Sequence, residues 1–202
     1  MKKRISVSIF SCVWILVLFL LDVPYILPMI LAVALHECGH LFCARLLKIR
    51  VLRLEFSMLG ARMNIDDTFL SYKNEFLLAM SGPLAGAIGF ALCFPISSRF
   101  CALPFFSEFL LPFSVISLCL ALFNLIPIDT LDGGRMLRCA ISQIFSAERA
   151  DLVMKICTLL TLILLWSLSV YMMIKVVSGL TLFVFSATLF INFFIKDNKT
   201  CD

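Results

Sequence analysis

The stretch ALHECGHLFCARLL (34–47) holds both histidines of a chain that has only two. His36 and His40 are four residues apart, with Glu37 between them, in a run otherwise apolar enough to enter lipid. In a helix, positions i and i+4 share a face about 6 Å apart along the axis, so two imidazoles there can converge on one ion with bonds near ~2 Å. Glu37 then stands beside the open coordination position. The pattern is H-E-x-x-H, in which the glutamate acts as general base toward a water activated by zinc. The bland alternative is a chance match of two core histidines satisfied by hydrogen bonds. Three ionisable groups so close together at membrane depth are costly, and such groups are functional by default.

The surrounding composition sets the solvent. Of 202 residues, 62% are hydrophobic and 15% charged, and the mean hydropathy is +1.06. These values fall outside the soluble globular range and indicate an integral membrane protein whose main partner is the lipid bilayer. The nine cysteines show no paired spacing; Cys12, Cys43, Cys93, Cys119 and Cys157 sit in or beside apolar runs as small packing residues. The net charge of +4 is modest, and no basic tract suggests a nucleic-acid partner. Lys2, Lys3 and Arg4 ahead of an apolar run resemble a signal peptide, but no small-x-small cleavage site precedes Asp22 and Pro24. An uncleaved first helix is the better reading.

A hydrocarbon core about 30 Å thick needs roughly 20 apolar residues per helix. On that ruler the chain is an all-α polytopic membrane protein of about six transmembrane helices, near 5–21, 25–47, 75–97, 108–128, 152–174 and 177–195. Five spans plus a re-entrant segment is the alternative. The whole of 1–202 is expected to form a single integral-membrane domain. With the N-terminus inside, Lys48, Arg50, Arg53, Arg62, Lys73, Arg135, Arg138, Arg149, Lys196 and Lys199 all fall in the cytosol, leaving Arg99 and Lys175 outside. This positive-inside bias places both termini in the cytosol of a multi-pass protein of the cell membrane.

Two segments read differently. In RVLRLEFSMLGARMNI (50–65), Leu52, Leu54, Phe56 and Met58 alternate with Arg53, Glu55 and Ser57, the period of a strand, and Leu59-Gly60 supplies a turn. A short membrane-associated β-hairpin is expected at about 51–64. Its exposed edge could hold an unwound peptide by strand addition through Leu52, Leu54 and Phe56; the bland alternative is a folded connector. The segment 129–151 opens with DTLDGGR and continues MLRCAISQIF, expected as a Gly-Gly break followed by a short interfacial helix.

A catalytic zinc takes three protein ligands and keeps a fourth position for water. Cys43 shares the face of His36, but at i+7 it lies roughly 10 Å along the axis, too far for both to hold one ion. The third ligand is therefore expected from another span. FNLIPIDTLDGGR (123–135) is the best region, because Pro127 frees backbone groups and two glycines let the chain turn, so Asp132 can face back into the membrane. Taken alone, an Asp-Gly pair is more often a turn or a helix cap. Asp129 is the local rival, read as a surface carboxylate.

HECGH (36–40), NLIP (124–127) followed by LDGG (131–134), and MSGPLAG (80–86) on the span between together resemble the site-2 protease family of intramembrane zinc metalloproteases. The resemblance covers about residues 30 to 140. It implies that His36, His40 and Asp132 bind one Zn2+, that Glu37 is the catalytic base, and that Asn124, with Pro127 beside it, lies near the active site. The implied partner is a membrane-embedded protein substrate, cleaved within or next to a transmembrane segment, with scope for a regulatory membrane partner. The six-span reading is closest to the sporulation-type branch, known for releasing a membrane-tethered transcription factor precursor. This sequence departs from that branch by ending at Asp202 without a C-terminal nucleotide-sensing domain, and it lacks the PDZ insertion of other branches, so regulation and substrate are not carried over.

Independently of the resemblance, Ser81, Gly82, Ala85, Gly86 and Ala87 form a small-xxx-small face for close helix packing, which is expected to benefit the histidine-bearing helix. Arg45, Lys48 and Arg50 mark the cytosolic end of that helix, so the site is expected to open toward the cytosol. Asn124 could donate to a developing oxyanion or to the substrate backbone. A membrane zinc transporter or metal-binding membrane protein is the main alternative function. It would need further ligands along a path on both sides, and the chain has no other histidine. A catalytically idle scaffold is a second rival, opposed by the intact ligand set.

Overall fold

The computed structural model describes residues 4–7, 25–49, 51–57, 60–65, 71–175 and 186–191. They fall into two compact units, 1–125 and 126–202. The expected spans near 5–21 and 177–195 lie mostly outside the described residues. The other four have counterparts in helices long and apolar enough to cross a membrane: Ile26–Leu46, Tyr72–Arg99, Phe105–Asn124 and Glu148–Lys175.

In the first unit, helix α1 (Ile26–Leu46) begins after Tyr25, whose φ of 67° prevents an earlier start, and accepts Pro28 within its first turn. Its end is a Schellman motif. Lys48 takes the left-handed conformation at φ 55°, its amide donates to the Arg45 carbonyl at 3.2 Å, and that of Ile49 reaches back to Ala44 at 2.9 Å. Ile49 and Cys43 pack on the buried pair Ala44 and Leu78, the apolar contact that accompanies such a cap. The polypeptide thus leaves the helix in a fixed direction, and Val51 starts a strand two residues after Ile49.

Strands β1 (Arg4–Val7), β2 (Val51–Ser57) and β3 (Gly60–Ile65) form one sheet in the order β1-β2-β3. β2 and β3 pair antiparallel, with Leu54 opposite Met63 and Phe56 opposite Ala61. β1 pairs parallel to β2, with Ile5 opposite Leu54 and Val7 opposite Phe56. Two sequence expectations change. Residues 5–7, expected to open a membrane helix, are in a strand. Leu54 and Phe56 lie on the middle strand, engaged on both sides, and Leu52 falls at the register shift between Val51 and Arg53. Over Arg53–Phe56 β2 is therefore paired on both sides, and a strand added there would have to meet an outer one.

Helix α2 (Tyr72–Arg99) carries Glu75 in its first turn and Arg99 in its last, both favourable to the helix dipole. At 28 residues and 1.5 Å per residue it is about 42 Å long, longer than the hydrocarbon core. The third span opens as a π-helical segment (Phe105–Leu110) that continues into α3 (Leu111–Asn124). Pro112 explains the widened turn. Its ring would strike the carbonyl four residues back in a regular helix, and a π turn relieves that clash. α1, α2 and α3 pack against one another through small residues. A Cβ on Gly39 would come within 2.5 Å of the Ser81 carbonyl, and one on Gly86 within 2.8 Å of the Ser117 carbonyl. The outward side chains are large and apolar, among them Phe42, Leu92, Ile96 and Leu122, as a lipid-facing surface requires.

In the second unit, α4 (Asp132–Ile144) and α5 (Ala147–Lys175) pack together. Leu162 and Leu189 are buried, and the ring of Phe190, on the helical stretch 186–191, lies 5.9 Å from that of Trp166 on α5. α4 is amphipathic. Gly133, Gly134 and Cys139 are buried, while Arg138 faces outward and meets Asp151 at 2.7 Å.

Candidate metal centre

His36 is the eleventh residue of the 21 in α1, which puts it midway, about 15 Å from either end. It is 5% exposed, and His40 is half-buried one turn further on. The two Nε2 atoms face each other at 3.2 Å, with the rings edge to face at 83°. Two nitrogens bound at 2.0–2.1 Å to one tetrahedral zinc stand about 3.3 Å apart. The pair is therefore already at the spacing of one edge of a zinc tetrahedron, as the helical i, i+4 argument requires.

The other face of His40 fixes its proton. Nδ1 lies 2.8 Å from the Leu78 carbonyl on α2. A carbonyl oxygen can only accept, so Nδ1 carries the hydrogen and Nε2 is left as the lone-pair donor. Metal-binding histidines are characteristically oriented in this way. The backbone of α2 comes this close because residue 82 is glycine. A Cβ there would overlap His40 Nε2, lie 2.6 Å from His40 Cε1 and lie 2.8 Å from His36 Cε1. The SGPLAG stretch thus does more than pack helices: Gly82 borders both imidazoles directly. Glu37, adjacent to His36, is half-buried, and Cys38 on the other side is exposed.

Asn124 is the last residue of α3, and its Nδ2 donates to the Leu120 carbonyl at 2.9 Å. In the second unit, Pro127 is half-buried in the turn leading to α4. Asp132 is the first residue of α4 and half-buried, at the end of a helix dipole that favours a carboxylate. The two glycines do not break the helix before it starts, as the sequence suggested, because Gly133 and Gly134 belong to its first turn. Gly134 is needed for space: a Cβ there would overlap the Ile128 carbonyl oxygen and lie 2.8 Å from the Asp129 amide nitrogen. Asp129 is half-buried rather than a surface carboxylate. Its amide donates to Thr158 Oγ1 at 3.2 Å, a side chain of α5 that is 1% exposed. Leu131 N donates to the Ile128 carbonyl at 2.8 Å, closing the turn.

Residues that sequence reasoning passed over are the Leu78 carbonyl, Ser81 as a polar group, and Thr158. A backbone carbonyl has no sequence signature. Beside Gly82, Ser81 reads from sequence as a small packing residue, and spacing carries no sign of its hydrogen bonds.

Residues 98–168 match the model of peptidase family M50. No curated protein matches. Among solved structures, the chain is similar to the site-2 protease from Methanocaldococcus jannaschii, with a TM-score of 0.71 and 19% identity over 96% of this chain and 92% of that one. The chain has the fold of that protease, and its residues 98–168 carry the sequence pattern of peptidase family M50.

Proposed function

We propose that the protein is an intramembrane zinc metalloprotease of the site-2 type, hydrolysing a peptide bond within or next to a transmembrane segment of a membrane-tethered protein. The observation that carries this reading is the 3.2 Å approach of the His36 and His40 Nε2 atoms at mid-span. The family match and the shared fold support it. His36, His40 and Asp132 each offer one ligand atom, and two imidazoles with one carboxylate form a donor set suited to catalytic zinc. Zinc held by these residues would lower the pKa of a water toward about 7 and polarise a scissile carbonyl. Glu37 takes the proton from the attacking water and passes it to the leaving amine. Asn124 spends one amide hydrogen on Leu120; an amide group has two, and the second serves the oxyanion or the substrate backbone. Pro127 keeps the chain beyond Asn124 from continuing as regular helix.

The substrate is held as an added strand on the outer edge of β3, since β2 is paired on both sides. The protein lies in the cell membrane as a multi-pass chain with cytosolic termini, and water reaches the site from the cytosolic side. Its sporulation-type affinity, the release of a transcription factor precursor and a regulatory membrane partner belong to the same proposal. Three of the buried span hydroxyls among the described residues speak against a transport path. Ser97, Ser114 and Ser117 donate to carbonyls of their own helices, Phe94, Leu111 and Phe113, rather than lining a polar route. Co-expression with membrane-tethered substrates, comparing the native chain with Glu37→Gln, tests the reading. Cleavage by the native chain alone supports it. Equal cleavage by both removes it, and zinc flux lost in His36→Ala without any cleavage favours the transporter.

A further inference from the structure

Ser81 lies on α2 one turn beyond Leu78, half-buried against α1. Its Oγ donates to the Leu78 carbonyl at 2.6 Å and stands 3.4 Å from His40 Nδ1. That same carbonyl accepts the His40 Nδ1 hydrogen at 2.8 Å. A carbonyl oxygen has two lone pairs, and here one holds an imidazole while the other holds a hydroxyl. Back-bonding serines recur in these helices, as at Ser97 and Ser114; the Ser81 bond differs because its acceptor also orients a candidate metal ligand.

We propose that Ser81 is a positioning residue for the metal centre: by anchoring the Leu78 carbonyl and offering a second acceptor to Nδ1, it holds the ring orientation with which His40 presents Nε2. The proposal rests on the zinc reading above. Without the hydroxyl the carbonyl can tilt toward its own helix ladder, and the imidazole loses part of the fork that holds it. Ligand partners of this kind contribute roughly tenfold or more to metal affinity.

The test uses the purified full chain in detergent, loaded with zinc and dialysed against graded concentrations of a chelator, with a parallel sample loaded with Co2+ for its visible absorption. Ser81→Ala is expected to release zinc at roughly tenfold lower chelator concentration and to shift the cobalt bands. Ser81→Thr, which keeps a hydroxyl able to bond back along the helix, is expected to restore both. Ser81→Ala holding zinc as tightly as the native chain, with an unchanged cobalt spectrum, overturns the proposal, as does Ser81→Thr behaving like Ser81→Ala. A native chain that takes up no zinc overturns the zinc reading itself, and this inference with it.

Discussion

Gly82 faces His40 so closely that a single added carbon would overlap the Nε2 atom. Gly82→Ala is therefore expected to turn the imidazole away and lower zinc affinity at least tenfold, on the scale of lost ligand orientation. Gly86→Ala is the matched control. Its Cβ would meet the Ser117 carbonyl and, at 3.2 Å, Ala121 Cβ, but no histidine. Both variants should lose roughly 1–3 kcal/mol to overpacking; only Gly82→Ala should lose the metal, as measured by zinc content beside thermal melts. Equal zinc loss in the two would assign the effect to helix packing.

Thr158 accepts the Asp129 amide hydrogen at the start of the turn that leads to Asp132. Thr158→Val keeps the shape and removes the acceptor, stranding a backbone N–H at a cost of about 1–3 kcal/mol. Thr158→Ser should recover most of it. Denaturant unfolding in detergent gives the comparison, and a Thr158→Val chain as stable as the native one would show that the bond does not hold the turn.

The Arg138–Asp151 pair is short, 2.7 Å, but each side chain is 50% exposed. Screening and side-chain entropy keep such a pair to about 0–1 kcal/mol. Asp151→Asn should thus shift the melting midpoint little, and less than Thr158→Val does, a ranking that follows from burial rather than bond length.

Glu37→Gln preserves size and removes the carboxylate proposed as the base. Zinc content should be unchanged while turnover falls by roughly 10²–10⁴, the usual contribution of a positioned proton acceptor. His36→Ala should lose both together. Turnover surviving in Glu37→Gln with full metal content would assign the proton transfer to another group.

Much of this arrangement could be read from residues alone, and the exceptions have physical causes. The facing of His36 and His40 was legible because helical periodicity converts a spacing of four into one shared face. The spans at Ile26–Leu46, Tyr72–Arg99 and Phe105–Asn124 were legible because a bilayer sets a minimum apolar length. The strand Arg4–Val7 was not, since a short run such as RISV ahead of a long apolar stretch has no period of its own and takes its conformation from the β2 backbone beside it. The same parallel pairing removed Leu54 and Phe56 from any open edge. The Gly133-Gly134 pair reads as a break because glycine lets the chain turn. The structure uses Gly134 inside a helix, where closeness to the Ile128 carbonyl outweighs propensity. Leu78 acts through its carbonyl, which every residue has, so its part in orienting His40 depends on which turn of α2 faces α1.

The proposed chemistry is the cutting of peptide bonds at membrane depth with zinc held at His36 and His40. The most direct measurement is mass spectrometry of a transmembrane peptide incubated with the purified chain in proteoliposomes. Cuts within or next to the apolar segment are expected from the native chain, abolished by chelator, restored by added Zn2+ and absent with Glu37→Gln. Cuts of the same yield and position from Glu37→Gln or from the metal-stripped chain would contradict it.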